Sequence, residues 1–226
     1  MGGISMLTVH HLNNSRSQRV LWLLEELELP YEIVRYQRQP DMRAPAELRA
    51  IHPLGKSPVI TDNGNTIAES GAIIEYITEV YGDGHLIPPP KTPQRLRYTY
   101  WLHYAEGSAM PPLLLKLLFT LMQKRAPALL RPIVRKVANQ ALTALVNPQL
   151  TQHMAFWEGE LGKSEWFAGN TFTAADIQMS FPLEAAAARG GLDQGHPRAM
   201  AFLERIHARP AYQRALEKGG PYSVGR

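Results

Sequence analysis

The chain has 226 residues, a formal charge of +4 and no cysteine. That length supports one large domain or two modest ones with real cores, and an apolar fraction of 45% excludes a disordered chain. Without cysteine there is no disulfide, no thiolate metal site and no protein thiol nucleophile, so sulfur chemistry has to come from a bound thiol.

Met6 to His11 alternates weakly and reads as a first strand. Val20, Leu23, Leu24 and Leu27 follow at helical spacing, and Pro30 stops that helix. Tyr31 to Tyr36 reads as a second strand. Arg38 to Pro53 is turn-rich, with a short helix around Ala46 to Ala50 and His52 as a turn residue. Ser57-Pro58 then leads into a β-branched strand, Val59-Ile60-Thr61, since proline cannot donate to a ladder and belongs at a strand's start or edge. A turn at Asp62-Asn63-Gly64-Asn65 gives a further strand. A helix from Ser70 to about Tyr81 turns Ile73, Ile74, Ile77 and Val80 inward. The order βαβ, then ββα, predicts a small mixed sheet covered by helices.

Gly82-Asp83-Gly84 and Pro88-Pro89-Pro90 bound a linker, and nothing after it reads as a strand. Pro93 to Met122 is a long helical pattern with a bend expected at Pro111-Pro112. Ala126 to Pro132 interrupts it and another helix follows through Asn147. Helices at about Pro148–Gly162, Ala174–Arg189, Pro197–Ala208 and Ala211–Lys218 complete an all-α second part. Thr173-Ala174-Ala175-Asp176 fits a capping box, with Phe172 and Ile177 spaced as a hydrophobic staple, so Asp176 is read as structural. The division expected is therefore 1–83, linker 84–93 and 94–226.

Leu113 to Met122, interrupted by Lys116, is far shorter than the ~18–20 apolar residues of a spanning helix. The first residues fit neither a secretory signal nor a myristoylation pattern. A soluble cytoplasmic protein with no membrane partner is the expectation. His10 and His11, adjacent in a strand, point to opposite faces and His103 has no partner one turn on, so no metal is expected. Between Lys91 and Gln140 stand nine lysines and arginines and a single acid, Glu106. No aromatic-basic interleaving accompanies them, so attraction of an anionic substrate or a dimer face is favoured over nucleic acid.

The segment from Gly55 to Ser70 concentrates the chemistry. A cis Ser57-Pro58 bond would hold residue 57 extended, with its N–H and C=O free for a ligand's main chain. The helix opening at Glu69-Ser70 offers backbone N–H groups and a positive dipole end to a carboxylate. Together they suit an extended, anionic, amine-bearing peptide.

Four stretches in this order, His10 to Glu26, His52-Pro-Leu-Gly-Lys-Ser-Pro-Val-Ile60, Glu69-Ser-Gly-Ala-Ile-Ile-Glu-Tyr-Ile77 and Phe172-Thr-Ala-Ala-Asp-Ile177, resemble the glutathione transferase superfamily over nearly the whole chain. The resemblance is to its bacterial and fungal, serine- or asparagine-activated cytosolic members. It implies an α/β N-terminal thioredoxin-like domain followed by an all-α helical-bundle C-terminal domain, with glutathione as co-substrate, a hydrophobic electrophile as second substrate and a homodimer. By the same resemblance, Ser57 meets the cysteinyl main chain, Lys56 lies near the glycine carboxylate, Glu69 receives the γ-glutamyl amine and Ser70 its carboxylate. The hydroxyl that donates to the sulfur falls just before the first helix. Ser15, four residues before Arg19, matches serine-type members, and Asn14 matches members whose activator stands one place earlier. Ser17 is a more distant third. A plain helix cap is the competing reading of Asn13-Asn14-Ser15, and both can hold at once.

The energetic demand on that hydroxyl is modest. A thiol of reference pKa ~8.5 is about 3% ionised at pH 7, and lowering it by about two units takes roughly 2.7 kcal/mol. One hydrogen bond to a charged group (~1.5–3 kcal/mol) with a helix N-terminus (~0.3–1 kcal/mol) suffices. For the electrophile, Tyr104 and Tyr100, one helical turn apart, are the candidates, with Ser108, Met110 and Phe119 behind them. Packing between domains is the competing role for the tyrosines. Conjugation is the reaction expected, with glutathione-dependent peroxide reduction as a second class. A non-catalytic binding or regulatory module on the same fold is the alternative.

Overall fold

The computed structural model describes residues 6–39, 41 and 43–224. Its first part runs β1 (Thr8–Leu12), α1 (Ser17–Glu26), β2 (Glu32–Tyr36), α2 (Ala46–Ile51), β3 (Val59–Asp62), β4 (Asn65–Ala68) and α3 (Ser70–Val80). The strands form one sheet in the order β2-β1-β3-β4, with β1 parallel to β2 and the other pairs antiparallel. His10 lies between Val34 and Val59 in register. Asn63 and Gly64, at φ 47° and 81°, close the β3–β4 hairpin in the positive-φ conformations that a two-residue turn demands.

α1 is buried from Ser17 through Glu25, not along one stripe alone. The reason is a second cover. Besides α3 and β1, α1 packs on α8 (Ala174–Ala185) and α10 (Pro210–Gly219), so Leu21 and Trp22 are as enclosed as Val20 and Leu24. Its acidic end is tied to α10: Arg209 grips Glu26 through Nε and Nη2 at 2.5 and 2.8 Å, and Arg214 and Lys218 converge on the buried Glu25. In α3, Ile73, Ile74 and Ile77 are fully buried as expected, but Val80 is 54% exposed. As the helix's last residue it projects past the elements that cover the other three.

Among the described residues no strand follows β4; only a Trp166–Gly169 bridge occurs. The helices are α4 (Pro93–Tyr104), α5 (Met110–Arg125), α6 (Arg131–Ala141), α7 (Asn147–Glu160), α8, α9 (Pro197–His207) and α10. The helix breaks between Arg125 and Arg131 as expected, and ahead of two other proline sites the chain widens into π-helical turns. Ala105–Ala109 joins α4 to α5 ahead of Pro111-Pro112, and Leu142–Val146 joins α6 to α7 ahead of Pro148. A proline removes the N–H that an α-turn needs, and a wider turn lets the chain stay helical past it. A third such turn, Ala186–Gly190, ends α8. At the start of α8, Asp176 accepts from Thr173 N (2.8 Å), Thr173 Oγ1 (3.1 Å) and Phe167 N (2.9 Å), which fixes it as a buried structural cap. One apolar core runs through both parts, from Ile60 and Leu24 through Trp22 to Trp101, Trp157, Phe167 and Phe202.

Candidate active site

A cavity of about 800 Å³ lies between the sheet's end and the helices. Leu12 at the end of β1, the Lys56-Ser57-Pro58 approach to β3 and Glu69-Ser70 at the start of α3 form one side. The region around α2 contributes another wall. Glu106 on the first π-helical turn and Leu114 on α5 close it from the helical part. The Ser57-Pro58 bond is cis. All four residues assigned to the peptide, Lys56, Ser57, Glu69 and Ser70, line this cavity.

Glu69 occupies the N-cap position of α3 at φ 71°, a region rare for a non-glycine residue, and its side chain makes no cap hydrogen bond. The exposed carboxylate is left to the cavity wall, so helix capping does not account for it. Ser70 behaves differently. It is buried, and its Oγ accepts from Arg19 Nη2 (3.2 Å) and Gln178 Nε2 (3.4 Å). Arg19 is 2% exposed and also donates to Glu106, which accepts from Arg16 Nε at 2.9 and 3.0 Å. Burial pushes the Glu106 carboxyl upward, but Arg19 and Arg16 together outweigh it and hold the group below its ordinary value.

Ser15 stands one bond behind the cavity wall. Its Oγ donates to Ser57 Oγ (3.2 Å), accepts from Ser17 N (3.2 Å) and lies 2.7 Å from Ser17 Oγ. Ser17 Oγ is in turn 2.9 Å from His11 Nδ1. Burial, reinforced by Arg35, lowers the His11 ring to about 4, so it is neutral near pH 7, and the Gly219 backbone bonds it as well. That neutral ring lets Nδ1 accept from Ser17, so Ser17 Oγ is free to accept from Ser15, whose one proton serves Ser17 at 2.7 Å and Ser57 at 3.2 Å by turns. Helix α1 itself is capped at Arg16 without a side-chain bond. Ser15 therefore serves the helix start and the cavity wall together.

Asn14, at φ 51°, points elsewhere: its Oδ1 accepts from Ser223 N (2.8 Å) and Ser223 Oγ (3.0 Å), pinning the C-terminal segment. The structure does not bring Tyr104 or Tyr100 to the cavity. Tyr104 is buried, bonds His153 Nδ1 and accepts from Trp157 Nε1 at 3.2 Å, while Tyr100 stacks on it with ring centroids 5.6 Å apart. The surroundings of Tyr104 are those of a packing residue, while Tyr100 is 49% exposed on the outer side of α4.

Sequence reasoning missed the cavity's other cations. Arg16, Arg38, Arg43 and Arg49 line it with Lys56, against only Glu69 and Glu106, and the expected turn residue His52 lines it too. The available signal was the recurrence of arginine through the turn-rich stretch before Lys56. Burial, with Arg16 beside it, lowers the Arg38 pKa, as crowding of like charges requires.

A thioredoxin-like first domain with a cationic cavity at its cis-proline turn, followed by an all-helical second domain, is the two-domain architecture that the following relatives share. The family model "Glutathione S-transferase, N-terminal domain" matches residues 5–79, and "Glutathione S-transferase, C-terminal domain" matches 121–210. Glutathione S-transferase 3 of Schizosaccharomyces pombe is 36% identical across 94% of this chain and 88% of its own. Glutathione S-transferase 1 of Saccharomyces cerevisiae is 33% identical across 95% and 96%. The crystal structure of a glutathione S-transferase from Actinobacillus pleuropneumoniae superposes with a TM-score of 0.77 at 32% identity, covering 98% and 96%. This chain belongs to the glutathione S-transferase family, and its function is that of a glutathione transferase.

Proposed function

We propose that the cavity binds glutathione with its γ-glutamyl amine on Glu69, the adjoining carboxylate at Ser70 and the start of α3, the cysteinyl main chain on Ser57 and the glycine carboxylate toward Lys56. The observation that carries this is Glu69: an exposed carboxylate on a positive-φ residue, unused as a cap, beside a serine fixed from behind by Arg19. The surrounding arginines suit a peptide with two carboxylates and one amine. Ser15 turns its hydroxyl from Ser57 to the sulfur and favours thiolate over thiol without giving up its proton. The thiolate then attacks an electrophilic carbon, whose leaving group departs with the bonding pair. Hydroperoxide oxygen is the second electrophile class.

The electrophile enters on the side of Leu114, the apolar residue that α5 contributes to the cavity, rather than at Tyr104 or Tyr100. Tyr100 belongs with Leu96 and Phe156 to a partly exposed apolar patch on α4 and α7, lying over the buried Tyr104, which suits the face of a homodimer. Domain limits of 1–83 and 94–226, and a cytoplasmic setting, complete the reading. Retention on immobilised glutathione, followed by assay against aryl halides and hydroperoxides, tests it. Retention with turnover supports an enzyme at this cavity; retention without turnover leaves a binding module, and no retention overturns the assignment.

A further inference from the structure

From Gly107 to Trp157 the chain has no aspartate or glutamate and six lysines or arginines. Five of these, Lys124, Arg125, Arg131, Arg135 and Lys136, are exposed on the hairpin formed by the end of α5 and by α6. The same hairpin exposes large aliphatic side chains: Leu129 is 88% exposed, Ile133 64%, Val137 60% and Met122 53%. Leu130, Ile133 and Val137 follow one another at helical spacing, so they make a stripe rather than scattered points. α6 buries Ala138 alone, so core packing does not explain its apolar residues. The hairpin is nonetheless braced. Gln123 Nε2 donates to Asn139 Oδ1 across it (2.9 Å), and Arg131 donates to the Ala126 carbonyl at its turn (3.3 Å).

We infer that the α5–α6 hairpin is a peripheral docking surface for an anionic lipid bilayer, with the aliphatic stripe entering the interface and the flanking cations meeting the headgroups. Among the described residues no helix is long and apolar enough to cross a membrane, so the contact lies on the surface. A second copy of the chain fits this face poorly. A two-fold interface sets a patch against itself, and here that opposes five cations to five cations with no acid between them. Residues 122–137 contain no aromatic side chain, which both nucleic-acid stacking platforms and the hot spots of protein interfaces favour. An aliphatic stripe with lysine and arginine on the remaining faces of the same hairpin suits lipid instead. On α5, Leu114, Leu118 and Met122, spaced four apart, run from the glutathione cavity's wall to the hairpin.

The test is co-sedimentation of the full chain with vesicles of phosphatidylcholine alone and of phosphatidylcholine mixed with phosphatidylglycerol. Each cation near an anionic leaflet contributes about fivefold in partitioning. Binding to the mixed vesicles is therefore expected to exceed that to neutral ones by at least about tenfold and to fall as salt rises. The combined variant R131Q/R135Q/K136Q should lose about tenfold or more, and I133S/V137S should lose the salt-resistant remainder. Transferase activity in solution should be unchanged in both, which shows that they fold. Equal partitioning to the two vesicle types, or none, overturns the proposal. So does an oligomer, seen by sedimentation, that I133S/V137S dissolves while vesicles bind neither form.

Discussion

Arg19 donates from Nη1 to the main-chain carbonyl of Gln178 at 2.5 Å. The carbonyl is available because Pro182, four residues further along α8, has no N–H to offer it. A proline inside a buried helix thus supplies an acceptor to a buried guanidinium from the first domain. The same guanidinium holds Ser70 and Glu106, so one side chain joins the start of α3, the first π-helical turn and the interior of α8. The wall at which glutathione's γ-glutamyl end is proposed to sit is thereby fixed to the helical domain.

Arg19→Ala should lower stability by about 3–5 kcal/mol, the usual result of removing one partner from a buried charged network. Glu106 keeps Arg16, which places the expectation toward the lower end. Arg19→Lys retains the charge but not the planar fork, and should recover only part of the loss. Urea denaturation of the three proteins measures both differences, and a loss below about 1 kcal/mol in the alanine variant would show the network to be dispensable.

Glu69→Ala should weaken glutathione binding by about 1.5–3 kcal/mol, through loss of the amine's charged partner. Its carboxylate makes no cap bond, so thermal stability should scarcely change. Calorimetry that finds unchanged affinity in this variant removes Glu69 from the site.

Much of this was legible from local sequence. Ser57-Pro58, the Asn63-Gly64 turn and Glu69-Ser70 are short-range signals, and each has a steric or hydrogen-bonding cause that acts within a few residues. Arg19 was visible only as a spacing mark for Ser15, because Gln178, 159 positions away, acquires its role through the fold. Tyr104 and Tyr100 were favoured for their helical spacing, but periodicity gives a face and not what covers it. Here His153 and Trp157 cover Tyr104, and Tyr100 stacks on it while staying 49% exposed. Val80 continued an apolar period beyond the point where the neighbouring elements end. The π-helical turns escaped for a related reason: proline predicts loss of an α-turn's bond, and whether the chain breaks or widens depends on tertiary packing.

Stability should fall as the solution is acidified through the His11 transition. Burial lowers the folded-state pKa to about 4, against 6.5 for the free side chain, so the unfolded chain takes up a proton that the folded chain refuses. The contribution is complete above about pH 6.5 and is lost as pH falls toward 4, on the order of 3 kcal/mol across the window. Asp176 acts in the opposite sense, because burial raises its carboxyl to about 6 and the folded state protonates first. Comparing the pH dependence of unfolding with that of His11→Asn isolates the histidine. Parallel curves for the two proteins would exclude His11 as the source.

The geometry also separates the two candidate activators. Ser15 Oγ bonds the cavity residue Ser57, whereas Asn14 Oδ1 is occupied by Ser223. Ser15→Ala should therefore raise the apparent pKa of the bound thiol by about one unit or more, equivalent to ~1.36 kcal/mol per unit. The rate near pH 7 should fall about tenfold per unit, partly offset by the greater nucleophilicity of a more basic thiolate. Glutathione affinity should change less than rate, since Glu69, Ser70 and Lys56 are untouched. Asn14→Ala should instead release the C-terminal segment, visible as faster proteolysis beyond Gly219, and leave the pH–rate profile in place. A shifted profile in the asparagine variant and none in the serine variant would reverse the assignment. If neither shifts it, the backbone N–H groups at the start of α1 stabilise the sulfur on their own.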